Sequence, residues 1–310
     1  MTLPLTTANG MISFPTFFPV TTFGGRFPLD DVVRPYLIRF APALMVSHFY
    51  AQKMHPQKLP LFIDSGGFAS LFKDSRVIHL PDGTHGIQSR DGTRITPETV
   101  LDFQEKHADI GATLDFIITP ETTIEDARLF QKWTIANACW AMNNRKRKDL
   151  KFFASLQAWN RDSMLRILDS LLPLPFHGFA LGGMVARIRK PKTIFELVKA
   201  FREVEPQRPL HLFGVGVPRL VKALFEYGVS SVDSSNYVQH SANKRYLLPT
   251  TGQYVEIDEN LDPTSTCSCI VCQQFSRDYL ILEGELNNMA LALHNLAATF
   301  SYLGIGNPNG

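Results

Sequence analysis

Two sets of residues in this sequence have types and spacings suited to chemistry. Asp233 closes the short β-prone run Val229-Ser-Ser-Val-Asp233, and Ser234-Ser-Asn236 follows it. Small polar residues cannot continue a strand, so the carboxylate is expected at a strand-to-loop junction, as a catalytic group or as a loop cap. The second set is Cys267, Cys269 and Cys272, which form one compact turn. In a chain this large such thiols read as a metal site rather than a disulfide framework. A fourth ligand would complete a tetrahedron around zinc, and His294, on the helix that follows, is the natural choice. Four protein ligands leave no open position, so the zinc is expected to be structural and to take no part in catalysis. The remaining thiol, Cys139, falls in the helical run Trp133–Met142 and is expected in the core.

The elements that must position these residues form a rhythm of short apolar runs. Buried strands are expected at Ala43–His48, Leu59–Asp64, Leu114–Thr119, Lys151–Gln157, Gly178–Gly182, Leu210–Gly214 and Val229–Asp233. Segments of helical pattern lie between most of them. Thr96-Pro-Glu98 reads as a helix start with proline near the first position. Pro191–Arg202 and Pro218–Tyr227 behave alike, the second stopped by Gly228. The proline-bearing stretch Gly10–Thr22 suits edge or capping strands rather than a central one. Seven buried runs and an early strand alternating with helices predict a (β/α)₈ TIM barrel. Asp64, Gln157, Gly182 and Asp233 all fall at the C-terminal ends of their runs, where a barrel assembles its site. Asp115 is the exception, near the start of its run. Asp74–Arg94 reads as a polar hairpin inserted after the Asp64 strand. Past Asp233 a zinc-binding subregion is expected at about 250–303, ending in a long helix from about Ser276 to Leu303.

Composition narrows the class. A chain of 310 residues, 45% apolar and 19% charged, can bury a large core, so 1–310 is expected to be one barrel domain with its appendage. A formal charge of +2 is too small for bulk capture of a polyanion, so any nucleic acid must meet a local basic patch. The N-terminus lacks the basic and apolar regions of a signal peptide, and no run of about eighteen apolar residues occurs. A cytoplasmic protein with no membrane partner is expected.

Several motifs in fixed order sharpen the reading. Phe14-Pro-Thr-Phe-Phe-Pro-Val20, Asp64-Ser-Gly-Gly-Phe68 and Asp91-Gly-Thr93 with Thr96-Pro-Glu98 come first. Gln157, Leu181-Gly-Gly183, Phe213-Gly-Val-Gly-Val-Pro218, Asp233, the three cysteines and His294-Asn-Leu296 follow. Together they resemble the tRNA-guanine transglycosylase family, which exchanges a guanine in nucleic acid for a 7-deazaguanine. The resemblance implies that Asp233 is a nucleophile toward the ribose anomeric carbon, forming a covalent glycosyl-enzyme intermediate. It implies that Asp64 is the general acid/base and that Asp115 reads the N1 and 2-amino donors of guanine. Ser65, Gln157 and the backbone of Gly182 and Gly183 would contact the rest of the base, and Phe68 and Phe213 would stack on its faces.

Departures from that pattern bear on the substrate. The family's tRNA enzymes follow the nucleophile with a Cys-Val-x-Pro-Thr-Arg type run, whereas Ser234-Ser-Asn-Tyr237 stands here. Basic residues instead follow the Gly-Gly turn, at Arg187, Arg189, Lys190 and Lys192; the cluster from Arg145 to Lys148 reads as solvated surface. No RNA-binding appendage is expected after the zinc helix, so the chain is more similar to the DNA-modifying branch, the DNA 7-deazaguanine transglycosylases. The segment Met184-Val-Ala-Arg-Ile-Arg189 lacks the glutamate of enzymes that take a cationic aminomethyl base, which favours neutral 7-cyano-7-deazaguanine. Expected partners are DNA, a free 7-deazaguanine base, a helper protein that opens the duplex, and a second copy of the chain as a homodimer. The alternatives are a tRNA-guanine transglycosylase acting on tRNA and a non-catalytic relative that partners an active subunit.

Overall fold

The computed structural model describes residues 2–51, 54, 58–257 and 261–306. Residues 258–260 of the expected zinc-binding subregion, and the two ends of the expected 1–310 domain, lie outside the described residues. Eight parallel strands form the barrel: β1 Thr16–Pro19, β2 Leu44–Ser47, β3 Leu61–Asp64, β4 Ile110–Ala112, β5 Lys151–Leu156, β6 Gly178–Leu181, β7 Leu210–Leu212 and β8 Ser231–Ser234. Every neighbour is the next strand in sequence, β8 pairs with β1, and a parallel bridge from Val20 to Met45 closes the ring. Consecutive parallel strands require crossovers on the outside, and helices supply them. These are α1 Pro97–His107, α2 Ile124–Asn144, α3 Arg161–Leu171, α4 Lys192–Val204 and α5 Pro218–Glu226 before β4 to β8, with short helical turns before β2 and β3. Thr96 caps α1 by accepting from the Thr99 N–H, with Pro97 at the first position, as its sequence predicts.

Alternation along the strands divides the core. Phe18, Met45, Phe62, Ile110, Ala112, Phe153 and Ala180 point inward, and Leu5 and Ile12 of the hairpin Leu5–Thr7/Gly10–Ile12 join them. The remaining apolar face packs outward against the helices.

Three expectations are corrected. Thr16–Pro19 is a barrel strand bonded to β8, not an edge; its prolines, Pro15 and Pro19, fall just outside and at its end. The apolar run Leu114–Thr119 is not a strand. The strand is Ile110–Ala112, and beyond Thr113 the backbone is satisfied by side chains instead of a ladder: the Phe116 N–H donates to Thr134, the Ile118 N–H to Oε1 of Gln157, and Asn137 donates to the Leu114 carbonyl. Asp115 therefore stands past the C-terminal end of β4, with the other carboxylates. The helix expected from Ser276 is broken at Gly284, whose φ is +149°, into α6 Arg277–Ile281 and α7 Glu285–Leu303. The insertion after β3 is a three-stranded antiparallel sheet, Arg76–His79, His85–Gln88 and Arg94–Ile95, with its turns at Gly83 and Gly92. No helix among the described residues is long and apolar enough to cross a membrane.

Candidate active site

A cavity of ≈ 580 Å³ opens at the C-terminal end of the barrel, and Asp64, Ser65, Phe68, Asp115, Gly183, Phe213 and Asp233 all line it. Three carboxylates from β3, the β4 loop and β8 thus share one space.

Asp115 is buried and held from both sides: Oδ1 accepts from the Ser65 hydroxyl at 2.8 Å and Oδ2 from Nε2 of Gln157 at 2.6 Å. Burial pushes its carboxyl above the ordinary range, and these donors from Gln157 and Ser65 oppose that. Gln157 and Gly182 stand behind Asp115 rather than on the cavity wall. A Cβ on Gly182 would collide with Nε2 of Gln157 and Oδ2 of Asp115, and one on Gly67 would collide with Oδ1 of Asp115. Both glycines are there so that backbone can close around this one carboxylate.

Asp64 ends β3. Its Oδ1 accepts from the N–H of Gly66 at 2.7 Å and of His48 at 3.2 Å. Burial raises its pKa from 3.8 to about 7, with the charges of Asp233 and Asp115 adding to the rise, against hydrogen bonds from Gly66 and Ser47. A carboxyl that exchanges its proton near neutrality is suited to give and take one during catalysis. A stability consequence follows from the same shift. The unfolded chain releases this proton near 3.8 and the folded chain only near 7. Stability present below about pH 4 is therefore lost as pH rises through 7. Asp64→Asn keeps an oxygen acceptor and removes that loss, so by calorimetry it is expected to melt above the wild type at pH 8, with the gap shrinking toward pH 4. A gap independent of pH would contradict the raised pKa.

Asp233 is the third residue of β8, slightly inside the strand rather than at its junction with the loop. Oδ1 accepts from the Gly214 N–H at 2.8 Å and contacts Nε2 of His211 at 3.1 Å. No hydrogen bond engages Oδ2 among the described residues. His211 and Ser231 were not singled out by the sequence reading. The signal was present: on a strand His211 shares a face with Phe213, and Ser231 with Asp233, two residues away.

The Gly-Gly turn is less basic toward the cavity than its sequence suggests. Arg187 is buried and donates to the Ile118 and Gly183 carbonyls, so it braces the turn. Beyond Gly183, the residues of this segment that line the cavity are Val185, Ala186 and Ile188. Of the second basic cluster, Arg147 donates to the Glu105 and Ala108 carbonyls and so closes the C-terminal end of α1.

The ligand atoms of Cys267, Cys269, Cys272 and His294 lie within 4.8 Å of one another, a set that could hold a metal ion. Nε2 of His294 is 3.0 Å from the Leu247 carbonyl, while Nδ1 faces the sulfurs of Cys272 and Cys269 at 3.1 and 3.5 Å. A carbonyl that takes the Nε2 proton leaves the Nδ1 lone pair for a metal, and three thiolates with an imidazole fit zinc in a tetrahedron.

The sequence profile described as queuine tRNA-ribosyltransferase matches residues 35–303. The queuine tRNA-ribosyltransferase of Thermosipho africanus is 28% identical over 325 aligned residues, spanning 93% of this chain and 86% of that one. The tRNA-guanine(15) transglycosylase of Methanococcus aeolicus is 25% identical over 94% of this chain, and that of Pyrococcus furiosus 27% identical over 74%. The matches span 45% and 39% of those two archaeal proteins, less than half their length. Fold, ordered carboxylates and sequence likeness agree, and the chain belongs to the queuine tRNA-ribosyltransferase family of tRNA-guanine transglycosylases.

Proposed function

We propose that this protein exchanges a guanine in DNA for a 7-deazaguanine by two displacements at the same sugar carbon. The observation that carries the reading is the convergence of Asp64, Asp115 and Asp233 on one cavity. In the first displacement a carboxylate oxygen of Asp233 attacks C1′ as the C1′–N9 bond breaks. Asp64 gives its proton to the departing guanine. In the second, N9 of the incoming base attacks C1′, the bond to Asp233 breaks, and Asp64 takes the base's proton. Inversion occurs twice, so configuration is kept. Adduct formation in a single turnover needs protonated Asp64 and is expected to slow as pH rises through about 7.

Asp115 is the reader of the purine edge. Its two oxygens keep lone pairs beyond those used by Ser65 and Gln157, and a carboxylate offers acceptors alone, which suits the N1 and 2-amino donors of guanine. Asp115→Asn places an amide donor there. It is expected to raise KM for guanine about 10- to 100-fold, the worth of a charged hydrogen bond, in steady-state exchange of labelled guanine. An unchanged KM would assign the edge to another residue. Phe68 and Phe213 supply ring faces at the cavity wall. The apolar flank of Val185, Ala186 and Ile188 suits an uncharged 7-substituent, which supports 7-cyano-7-deazaguanine as the incoming base.

For the polymer, the segment after Asp233 supports DNA. Ser235, Asn236 and Gln239 line the cavity there, and no arginine stands among them. A second cavity of ≈ 570 Å³, bounded by Trp159, Arg189 and Lys190, shares Thr119 and Ala186 with the first and offers a path for flanking nucleotides. The second reading, exchange in tRNA, is favoured by the relatives, whose names specify tRNA. Mass spectrometry of nucleosides from DNA and tRNA, in cells with and without the protein, separates the two. A 7-deazaguanine in tRNA with unmodified DNA would sink the DNA assignment. A structural zinc held by Cys267, Cys269, Cys272 and His294 completes the proposal.

A further inference from the structure

His211 lies fully buried beneath the cavity, outside the chemistry above. Its ring centroid is 5.8, 5.0 and 4.8 Å from those of Phe18, Phe62 and Phe213. A histidine enclosed by phenylalanines is costly unless both nitrogens are matched. Both are: Nδ1 is 2.9 Å from Oγ of Ser231 and Nε2 is 3.1 Å from Oδ1 of Asp233. An ionised carboxylate only accepts, so Nε2 must carry a proton when Asp233 is charged. A neutral ring then needs a donor at Nδ1, and the Ser231 hydroxyl can be one.

We propose that His211 is a positioning residue: it donates its Nε2–H to Oδ1 of Asp233, in a tautomer set by Ser231, and so leaves Oδ2 as the oxygen presented to the sugar carbon. This rests on the reading of Asp233 as nucleophile. With the Gly214 N–H it engages Oδ1 twice, which fixes the carboxylate rotamer before substrate arrives. Once Oδ2 is bonded to C1′, Oδ1 is the acyl oxygen of an ester. The same two donors then polarise it and ease the second displacement.

Three variants and one spectrum test this. His211→Leu removes the donor and is expected to lower kcat per active site about 100-fold, with KM for the base little changed. His211→Gln places an amide N–H where Nε2 stood and should recover most of that loss. Ser231→Ala frees the ring to change tautomer and should lower kcat without removing the histidine. Active sites are counted by trapped covalent adduct, so a merely structural role would reduce their number and spare kcat. Nitrogen-15 spectra of the substrate-free protein should show His211 protonated at Nε2 and bare at Nδ1. Wild-type kcat in His211→Leu overturns the proposal, as does a ring protonated at Nδ1. A wild-type protein that forms no adduct with nucleic acid overturns the nucleophile reading itself, and the positioning role with it; the spectrum, which needs no substrate, tells the two failures apart.

Discussion

Asp233→Ala is expected to abolish the covalent adduct with nucleic acid and to lower base exchange by at least about 10⁴-fold, the scale seen when a nucleophile is deleted. The expectation follows from the carboxylate's surroundings. Asp233 is nearly buried, meets the cavity, and has one oxygen engaged by Gly214 and His211 while the other is unengaged among the described residues. A carboxylate serving only to cap a loop would spend its acceptors on the loop that follows. Here the next turn satisfies itself: Oγ of Ser234 accepts from the Asn236 N–H at 3.0 Å, and Nδ2 of Asn236 donates to the Gly216 carbonyl at 3.1 Å. The one loop amide that Asp233 does bond, Gly214 beyond β7, occupies Oδ1 alone. Denaturing gels of the protein with guanine-containing DNA and with tRNA would show a slowed band for the polymer that reacts, absent in Asp233→Ala. Adduct persisting in that variant would move the nucleophile to another carboxylate, and exchange without any adduct would remove the two-displacement scheme. A hydrolase of small N-glycosides would instead release guanine without an incoming base.

The site was more legible in the sequence than the path of the chain through it. Asp64 and Asp233 end apolar runs, and that pattern places them on the rim of a barrel with no knowledge of contacts. Asp115 misled because Leu114–Thr119 is apolar enough for a strand. Leu114 and Phe116 of that run are buried against Ile87, Ile95 and Val100, while its backbone bonds to Thr134, Asn137 and Gln157. Apolar runs report burial, and only hydrogen-bond partners far along the chain decide between strand and buried loop. Arg187 shows the same limit for charge. Four basic residues close together in sequence suggest a basic patch, yet a guanidinium that finds two carbonyls becomes a brace. The cysteine cluster, by contrast, was local: its spacing alone marks it, and the fold brings the expected His294 to it from α7.

Removing metal from that cluster is expected to have the largest effect on stability. A metal held by these four residues would join the Cys267–Cys272 turn to α7, and α7 carries much more than that site. Asn295, beside His294, accepts from the Leu247 N–H at 2.9 Å and donates to the Arg245 carbonyl at 2.9 Å, which fastens the hairpin Arg245–Leu248/Gln253–Glu256. Tyr246 of that hairpin stacks on His294 with centroids 3.7 Å apart. Farther along, Phe300 meets Phe17 of β1 edge-on at 6.0 Å, and α7 packs on the helix Asn236–Ala242 that follows β8. Loss of the metal would leave three thiols and an imidazole crowded together, Cys272 and His294 fully buried, and loosen the seam where β8 meets β1, next to Asp233. Four-ligand zinc sites bind with apparent free energies of about 10 kcal/mol or more near neutral pH, of which a chain with a large apolar core loses a part. Chelation, or Cys272→Ala, is therefore expected to lower Tm by roughly 10 °C or more. Metal analysis should return zinc, one per chain, and Co²⁺ replacement should restore stability and give a tetrahedral spectrum. Because four protein ligands leave no position open to water, residual exchange after chelation should track the folded fraction and not the metal content. A metal-free protein that melts like the native one would refute the structural role, and a folded metal-free protein without exchange would give the ion a part in the chemistry.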